Sequence, residues 1–182
     1  SGKIEIVSAK IDRFNLPDCP AHPSWIEPAE WLGSCDDDHL HLVSGQPATR
    51  LHAQLDMGHE SQASKVQGRE SCALHPDTAR RLGLTSGDVV ILENDRGACL
   101  AGLTLDDTLR PDCVFMATGA WLDLQDIGGR MICVHGNVNV LTLDKGVSEL
   151  SQGNIAHTTL VKVTEWGGPL PALRVTDLPK LG

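Results

Sequence analysis

The stretch SGQPATRLHAQLD, residues 44 to 56, packs an unusual variety of hydrogen-bonding groups behind an apolar run, HLHLV at 39–43. Gly45 lets a backbone come close to a ligand. Ser44 and Thr49 offer hydroxyls, and the fork of Arg50 matches phosphate or carboxylate oxygens. Gln46 and Gln54 carry amides that can pair with the edge of a heterocycle. Together these groups suit a pyrophosphate-linked heterocyclic ligand. Taken alone, the loop reads better as a turn with a satisfied arginine.

Further along, HGNVNVLTLDKG carries Asn137 and Asn139, and SQGNIAHTT ends in His157 at the mouth of a strand. Asparagines often cap turns, and a lone histidine is more often a structural donor than an acid or base. Trp121, in TGAWLD, either walls a ligand funnel or plugs the end of a barrel. In VQGRE, Gln67, Arg69 and Glu70 lie beside a helix, and Arg69 with Glu70 reads as a solvated pair. His39 and His41 share one face of a strand, but no third metal ligand stands at a fitting spacing. The six cysteines are scattered without a CxxC, which argues against zinc. Cys99 and Cys113 sit in apolar runs and read as small core residues. No nucleophile elbow, Walker loop, dinucleotide GxGxxG or carboxylate dyad is present.

The elements that must hold these groups are mostly strands. HLHLVS alternates as a strand does. HPDTARRLGL reads as a short helix, with Pro76 near its start, Asp77 in the first turn, Arg80 and Arg81 in the last, and Gly83 just beyond. SGDVVILENDRGACLAGLTLDD is a hairpin turning at Asn94–Gly97. CVFMAT and TTLVKVTEW are further strands. Residues 119–157 are rich in Gly and Asn and show little regular pattern, as functional loops do.

Residues 1–38 hold four of the ten prolines and read as a connector arm. A short helix at Glu27–Leu32 is expected there, with Trp25, Ile26 and Trp31 as packing anchors. A barrel domain over 39–166 follows, then a tail over 167–182. The fold class is mainly β with a few short helices and long loops, in a small closed barrel.

Composition agrees with one soluble domain: 182 residues, 41% hydrophobic and 21% charged. With four Trp, two Phe and no Tyr, the core must rest on aliphatic side chains. The net charge of −9, with no basic cluster beyond Arg80-Arg81, argues against a nucleic-acid or anionic membrane surface. An anionic ligand is still compatible with backbone amides and one or two arginines. No apolar run is long enough to span a membrane. The Ser1-Gly2 start reads as the cut end of something longer. Nothing demands disulfides, which fits a reducing compartment.

Several motifs in order carry a resemblance: HLVSGQPATRLHAQLD, KVQGRESCALHPDTARRLGLTSGDVVILENDRGACLAG, GAWLD, HGNVNVLT and GVSELSQGN. From about residue 3 to 166 the chain resembles the C-terminal domain of molybdopterin oxidoreductases of the dimethyl sulfoxide reductase type, nearest the biotin sulfoxide and trimethylamine N-oxide reductases. The resemblance implies a six-stranded double-psi β-barrel. It also implies a bis(molybdopterin guanine dinucleotide) cofactor carrying molybdenum. By motif position, Ser44, Gly45, Gln46 and Arg50 fall in a first cofactor loop, with Gln67 and Arg69 near the ligand. Asn137 and Asn139 fall in a second loop, where Asn139 matches a cofactor-binding asparagine. His157 stands where a relative has Gln, and Gln46 where some have His.

The metal's protein ligand lies, in that family, in preceding domains outside this chain. The fragment is therefore expected to bind cofactor and to be inactive alone. The missing domains would be its partners, and a small S-oxide or N-oxide the whole enzyme's substrate. The resemblance favours the cytoplasm over the periplasm. Two other readings compete: a protein-binding double-psi module without cofactor, and a self-processing decarboxylase cleaved at Gly33-Ser34. The latter is disfavoured because such enzymes need a tyrosine.

Overall fold

HLHLV forms β1 (Leu40–Val43), with Leu40 and Leu42 buried while His41 is half-buried and Val43 exposed. The same alternation marks β2 (Ser71–Leu74) and β5 (Cys113–Met116), whose inward residues are Cys72, Leu74, Val114 and Met116. These strands bury one face. By contrast β3 (Val89–Asn94) and β4 (Gly97–Leu105) are buried on both faces, which is why VVIL and ACLAGL read as unbroken apolar runs. Their outer face is covered by a hairpin of β6 (Leu124–Ile127) and β7 (Arg130–Cys133). The last strand is β8 (Thr159–Glu165). The computed structural model describes residues 2–36 and 38–175.

Six strands close a ring in the order β2-β5-β1-β8-β3-β4, and β4 pairs back with β2. Two of the pairings, β1 with β5 and β2 with β4, are parallel, and the other four are antiparallel. Each parallel pair needs a crossover connection, and the result is a double-psi barrel. Its interior holds Leu40, Leu42, Leu74, Val90, Leu92, Leu103, Val114, Met116 and Val161. A second core, of Val89, Ile91, Ala98, Leu100, Ile132 and Val134, fills the space between barrel and hairpin, with Trp166 and Leu173 packed against it.

The helix α3 (Pro76–Leu82) forms where HPDTARRLGL places it, with Gly83 left-handed at φ 71°. The cap is His75, whose ring accepts from the Asp77 amide at 3.1 Å. Two single-turn helices, α1 (Ala9–Asp12) and α2 (His59–Ala63), complete the helical elements among the described residues, apart from 3-10 turns.

Three expectations need correction. No helix forms at Glu27–Leu32; the only regular turn there is a 3-10 turn at Leu32–Ser34. Pro28 disfavours helical backbone at Glu27, and the Glu30 carboxylate is drawn to the barrel, where it accepts from the Leu160 amide at 2.9 Å and pairs with Arg96. Trp25 does not anchor the arm: it is 73% exposed, with its ring edge-on to Trp31 at 5.9 Å. The segment 119–157 is not patternless either, because it contains the β6–β7 hairpin.

The described part of the tail is a strap rather than an appendage. Its Pro171 carbonyl accepts from Arg69 at 2.7 Å, its Ala172 carbonyl from Gln125 at 2.7 Å, and the Arg174 amide donates to Asp123 at 2.6 Å.

Candidate functional site

The parallel pairing of β1 with β5, and the antiparallel pairing of β1 with β8, bring three chain segments to one end of the barrel. These are the exit of β1 at Ser44, the exit of β5 near Thr118 and the entry to β8 near His157. A cleft of about 250 Å³ opens between them, lined by Ser44, Gly45, Gln46, Thr118, Asn139, Thr142 and His157 among others. It continues into a cavity of about 480 Å³ that shares Asn139, Thr142 and His157 and adds Asp144 and Asn154.

The sequence candidates divide here. Ser44, Gly45, Gln46, Asn139 and His157 come together in the cleft. The Ser44 hydroxyl is buried without a hydrogen-bond partner. Buried polar groups are nearly always paired, so an orphan at the wall of a cleft fits a ligand group that completes it. Asn139 donates its amide N–H to Asn137 Oδ1 at 3.0 Å, while its exposed side chain has no hydrogen-bond partner among the described residues. His157, whose main-chain carbonyl meets His41 Nε2 at 2.7 Å, lines the cleft and is exposed. Gln46 spends its amide within its own loop, on the His52 ring at 2.9 Å and the His52 amide at 3.2 Å.

The other candidates lie outside. Asn137 holds the loop rather than a ligand, donating to the Ala120 carbonyl at 2.8 Å and capping the turn at Val138–Val140. Gln67 donates to the Gly87 carbonyl at 2.9 Å. Arg69 is buried against the strap, donating to the Gln67 and Pro171 carbonyls, and does not pair with Glu70 at the surface. Burial, partly offset by the nearby Asp123 charge, holds the Arg69 guanidinium below its usual range. Trp121 is 41% exposed and donates its indole N–H to the Ala53 carbonyl at 2.8 Å, lying on the 51–55 turn instead of lining the cleft. His39 turns to Asp36 at 2.5 Å, away from His41.

Arg50 is the main correction. Its guanidinium is fully buried under the loop, donating to Glu70 at 2.9 Å, Ser61 at 3.1 Å and the Thr118 carbonyl at 2.8 Å. Lys65 lies beside it, at 2.8 Å from both Asp56 and Glu70. Asp56 also accepts the Trp121 amide at 2.8 Å, and His135 Nδ1 meets the Trp121 carbonyl at 2.9 Å. Two cations thus meet two carboxylates with their side chains almost wholly buried, and neither Lys65 nor His135 stands out in the sequence as a site residue. Burial works against the Asp56 anion, but hydrogen bonds from Lys65 and the Trp121 amide, with the charges of Lys65 and His135, hold its pKa below the usual 3.8. Burial pushes the His135 imidazole below its usual 6.5.

Both shifts make the unfolded chain bind more protons as the pH falls. His135 therefore contributes stability that is present above about pH 6.5 and is lost below it, and Asp56 contributes stability lost below about pH 4. The melting temperature should fall in two stages on acidification. His135→Gln should abolish the upper stage and leave the lower; a wild-type profile flat from pH 7 to 5 would contradict this.

With Arg50 committed inside, the only charged side chain lining the cleft, among the described residues, is Asp144. The remaining polar groups are three hydroxyls (Ser44, Thr118 and Thr142), amides and an imidazole. That set suits the edges of a neutral heterocycle or sugar hydroxyls better than bare phosphate, which must draw on backbone N–H groups or on cations from elsewhere. Across the back of the cleft the arm acts as a clip: Glu30 pairs with Arg96, whose Nε donates to the Leu141 carbonyl at 2.9 Å. Despite partial burial, the hydrogen bonds from Arg96 and Leu160 keep the Glu30 carboxyl below its usual 4.5. A further cavity of about 580 Å³ lies between the arm and the 145–158 loop.

Residues 40–160 match the family described as "Molydopterin dinucleotide binding domain". The chain is 44% identical over 178 residues to biotin sulfoxide reductase of Cereibacter sphaeroides, covering 97% of this chain and 24% of that protein. It is 40% identical over 182 residues to the dimethyl sulfoxide/trimethylamine N-oxide reductase of the same organism, covering 99% and 22%. To trimethylamine-N-oxide reductase of Haemophilus influenzae it is 38% identical over 183 residues, covering 99% and 22%. The chain thus spans less than a quarter of the length of these relatives. Among solved structures, acetylene hydratase from Pelobacter acetylenicus superposes with a TM-score of 0.70 at 20% identity, covering 91% of this chain and 24% of that one, a likeness of fold.

Proposed function

Since the chain belongs to the molydopterin dinucleotide binding domain family, we propose that it is the domain that closes over the cofactor in a molybdenum-dependent S-oxide or N-oxide reductase. The observation that carries this reading is the orphaned Ser44 hydroxyl, buried in a cleft shared with Asn139 and His157 inside the matched span. In the proposed enzyme the cofactor is bis(molybdopterin guanine dinucleotide), and its metal supplies the oxygen-atom transfer. This chain supplies recognition. Ser44 and Asn139 would hydrogen-bond a heterocycle edge or ribose, and the His157 ring would offer one donor or acceptor beside them. The protein ligand to the metal, the substrate funnel and the remaining domains belong to the part of the enzyme outside this chain, so the chain alone would not turn over. All six cysteines are unpaired, which fits a cytoplasmic enzyme.

The test is a backbone amide titration with GDP, which carries the guanine and diphosphate of the ligand. Saturable shifts are expected at 44–46 and 136–157. Ser44→Ala should weaken binding about five- to tenfold, as loss of one hydrogen bond implies, with an unchanged melting temperature. A silent titration at millimolar GDP, in a protein that instead shifts with peptides, would turn the assignment to a protein-binding module.

A further inference from the structure

The buried charges beneath the cleft do more than stabilise the barrel. We infer that Lys65 and Glu70, with Arg50 and Asp56, form a positioning device that fixes the loops of the cleft against one another. The inference deepens the cofactor-domain reading and rests on it for the ligand's identity.

Three separate stretches of chain meet at this cluster. The 44–56 loop enters through Arg50 and Asp56. Helix α2 and the residues just after it enter through Ser61 and Lys65, and the approach to β2 enters through Glu70. The cluster also grips the 118–121 turn at both ends, because Arg50 donates to the Thr118 carbonyl at 2.8 Å and Asp56 accepts the Trp121 amide at 2.8 Å. That turn passes the constraint on in two directions. The Thr118 amide donates to the Gly45 carbonyl at 2.9 Å, next to the orphaned Ser44. The Ala120 carbonyl accepts from Asn137 at 2.8 Å, and Asn137 in turn caps the backbone of Asn139. Ser44 and Asn139, 95 positions apart (139 − 44) in the sequence, are thereby referenced to one buried cluster.

An apolar filler would serve the barrel equally well, since replacing buried ion pairs by apolar groups is often neutral for stability. What it would not supply is directional attachment at Thr118 and Trp121. Arg50 and Asp56 make those two contacts, and Lys65 and Glu70 orient them: Lys65 lies 2.8 Å from Asp56 Oδ1, and Glu70 accepts from Arg50 at 2.9 Å.

The experiment compares the wild type with Lys65→Met/Glu70→Gln, which removes one charge of each sign and keeps the cluster neutral. Amide hydrogen exchange in the absence of ligand is the first readout. Protection at Thr118 and Trp121 should fall at least about tenfold, while the β3–β4 ladder stays within about twofold of wild type. GDP affinity, followed at 44–46, is the second readout and should fall about tenfold. If ladder and loop amides lose protection together, or none loses any, the cluster is a stabiliser only and the inference is overturned. Should the double variant fail to fold, Lys65→Arg/Glu70→Asp, which keeps the charges and shifts their reach, takes the same two readouts with the same criteria. If wild type ignores GDP while the exchange pattern appears, the ligand assignment fails and the positioning role stands.

Discussion

Glu70→Gln should lower the folding stability by about 3–5 kcal/mol, the cost of removing one partner from a buried ion pair. The side chain accepts from Arg50 at 2.9 Å and lies 2.8 Å from Lys65, with both cations fully buried. Glutamine keeps the shape but not the charge, leaving Arg50 and Lys65 to share Asp56 alone. The backbone bonds at this position, to the His135 carbonyl and from the Gly102 amide, are untouched, so the loss reads the charge. For a chain of this size, such a loss lowers the melting temperature by about 10 °C. Adding Lys65→Met restores neutrality and should recover most of the stability. A Glu70→Gln protein that melts within about 2 °C of wild type would show the cluster to be far better solvated than its burial implies.

Gly119→Ala should be the most damaging conservative change near the cleft. A Cβ there would stand 1.9 Å from the His52 carbonyl oxygen and 3.0 Å from the Ala53 nitrogen, at φ +92°. Backbone cannot yield as a side-chain tip can, and the left-handed conformation is itself unfavourable for alanine, so the sum is about 3 kcal/mol or more. The turn would have to lift away from the 51–55 segment, taking the Thr118-to-Gly45 bond with it. The response of residues 44–46 to GDP should then be lost even at temperatures where the barrel is folded. Gly128→Ala is the matched control: φ is +65° but nothing lies within 4 Å of the added methyl, so its cost should be only about 1 kcal/mol. Equal melting temperatures for the two variants would remove the collision from the account.

These effects bear on how far the fold was legible beforehand. The β3–β4 hairpin and α3 announce themselves locally, through Asn94–Gly97 between apolar runs and through Pro76 and Gly83 at the helix ends. The strands β2, β6 and β7, with SCAL, LQDI and RMIC, neither alternate as LHLV of β1 does nor run apolar throughout as CVFM of β5 does, so no periodic signal marks them. Ser44, Asn139 and His157 were picked out because their motifs matched a known pattern; nothing in their spacing reveals that they share a cleft. Arg50 was misread for a physical reason. An arginine in a polar loop looks available to an anion, and the groups that claim it, Glu70 and the Thr118 carbonyl, lie 20 and 68 positions away. Lys65 gave no signal at all, because a single lysine after a polar turn is ordinary. Arg69 likewise looked exposed until the strap came across it from residue 171.

The ring order also governs how the chain can be made. The strand β8 sits between β1 and β3, so the gap it fills stays open until residue 165 has been synthesised. At ordinary elongation rates, β1 would wait on the order of ten seconds for that neighbour. During that interval both β1 and β3 present bare edges to whatever strand arrives first. Slow closure of this kind makes the yield of soluble protein depend on translation speed and on chaperones that cover nascent strands, more than on the stability of the finished barrel. Synonymous changes that retard the ribosome between residues 43 and 159 should therefore lower the soluble fraction without altering the melting temperature of the protein recovered.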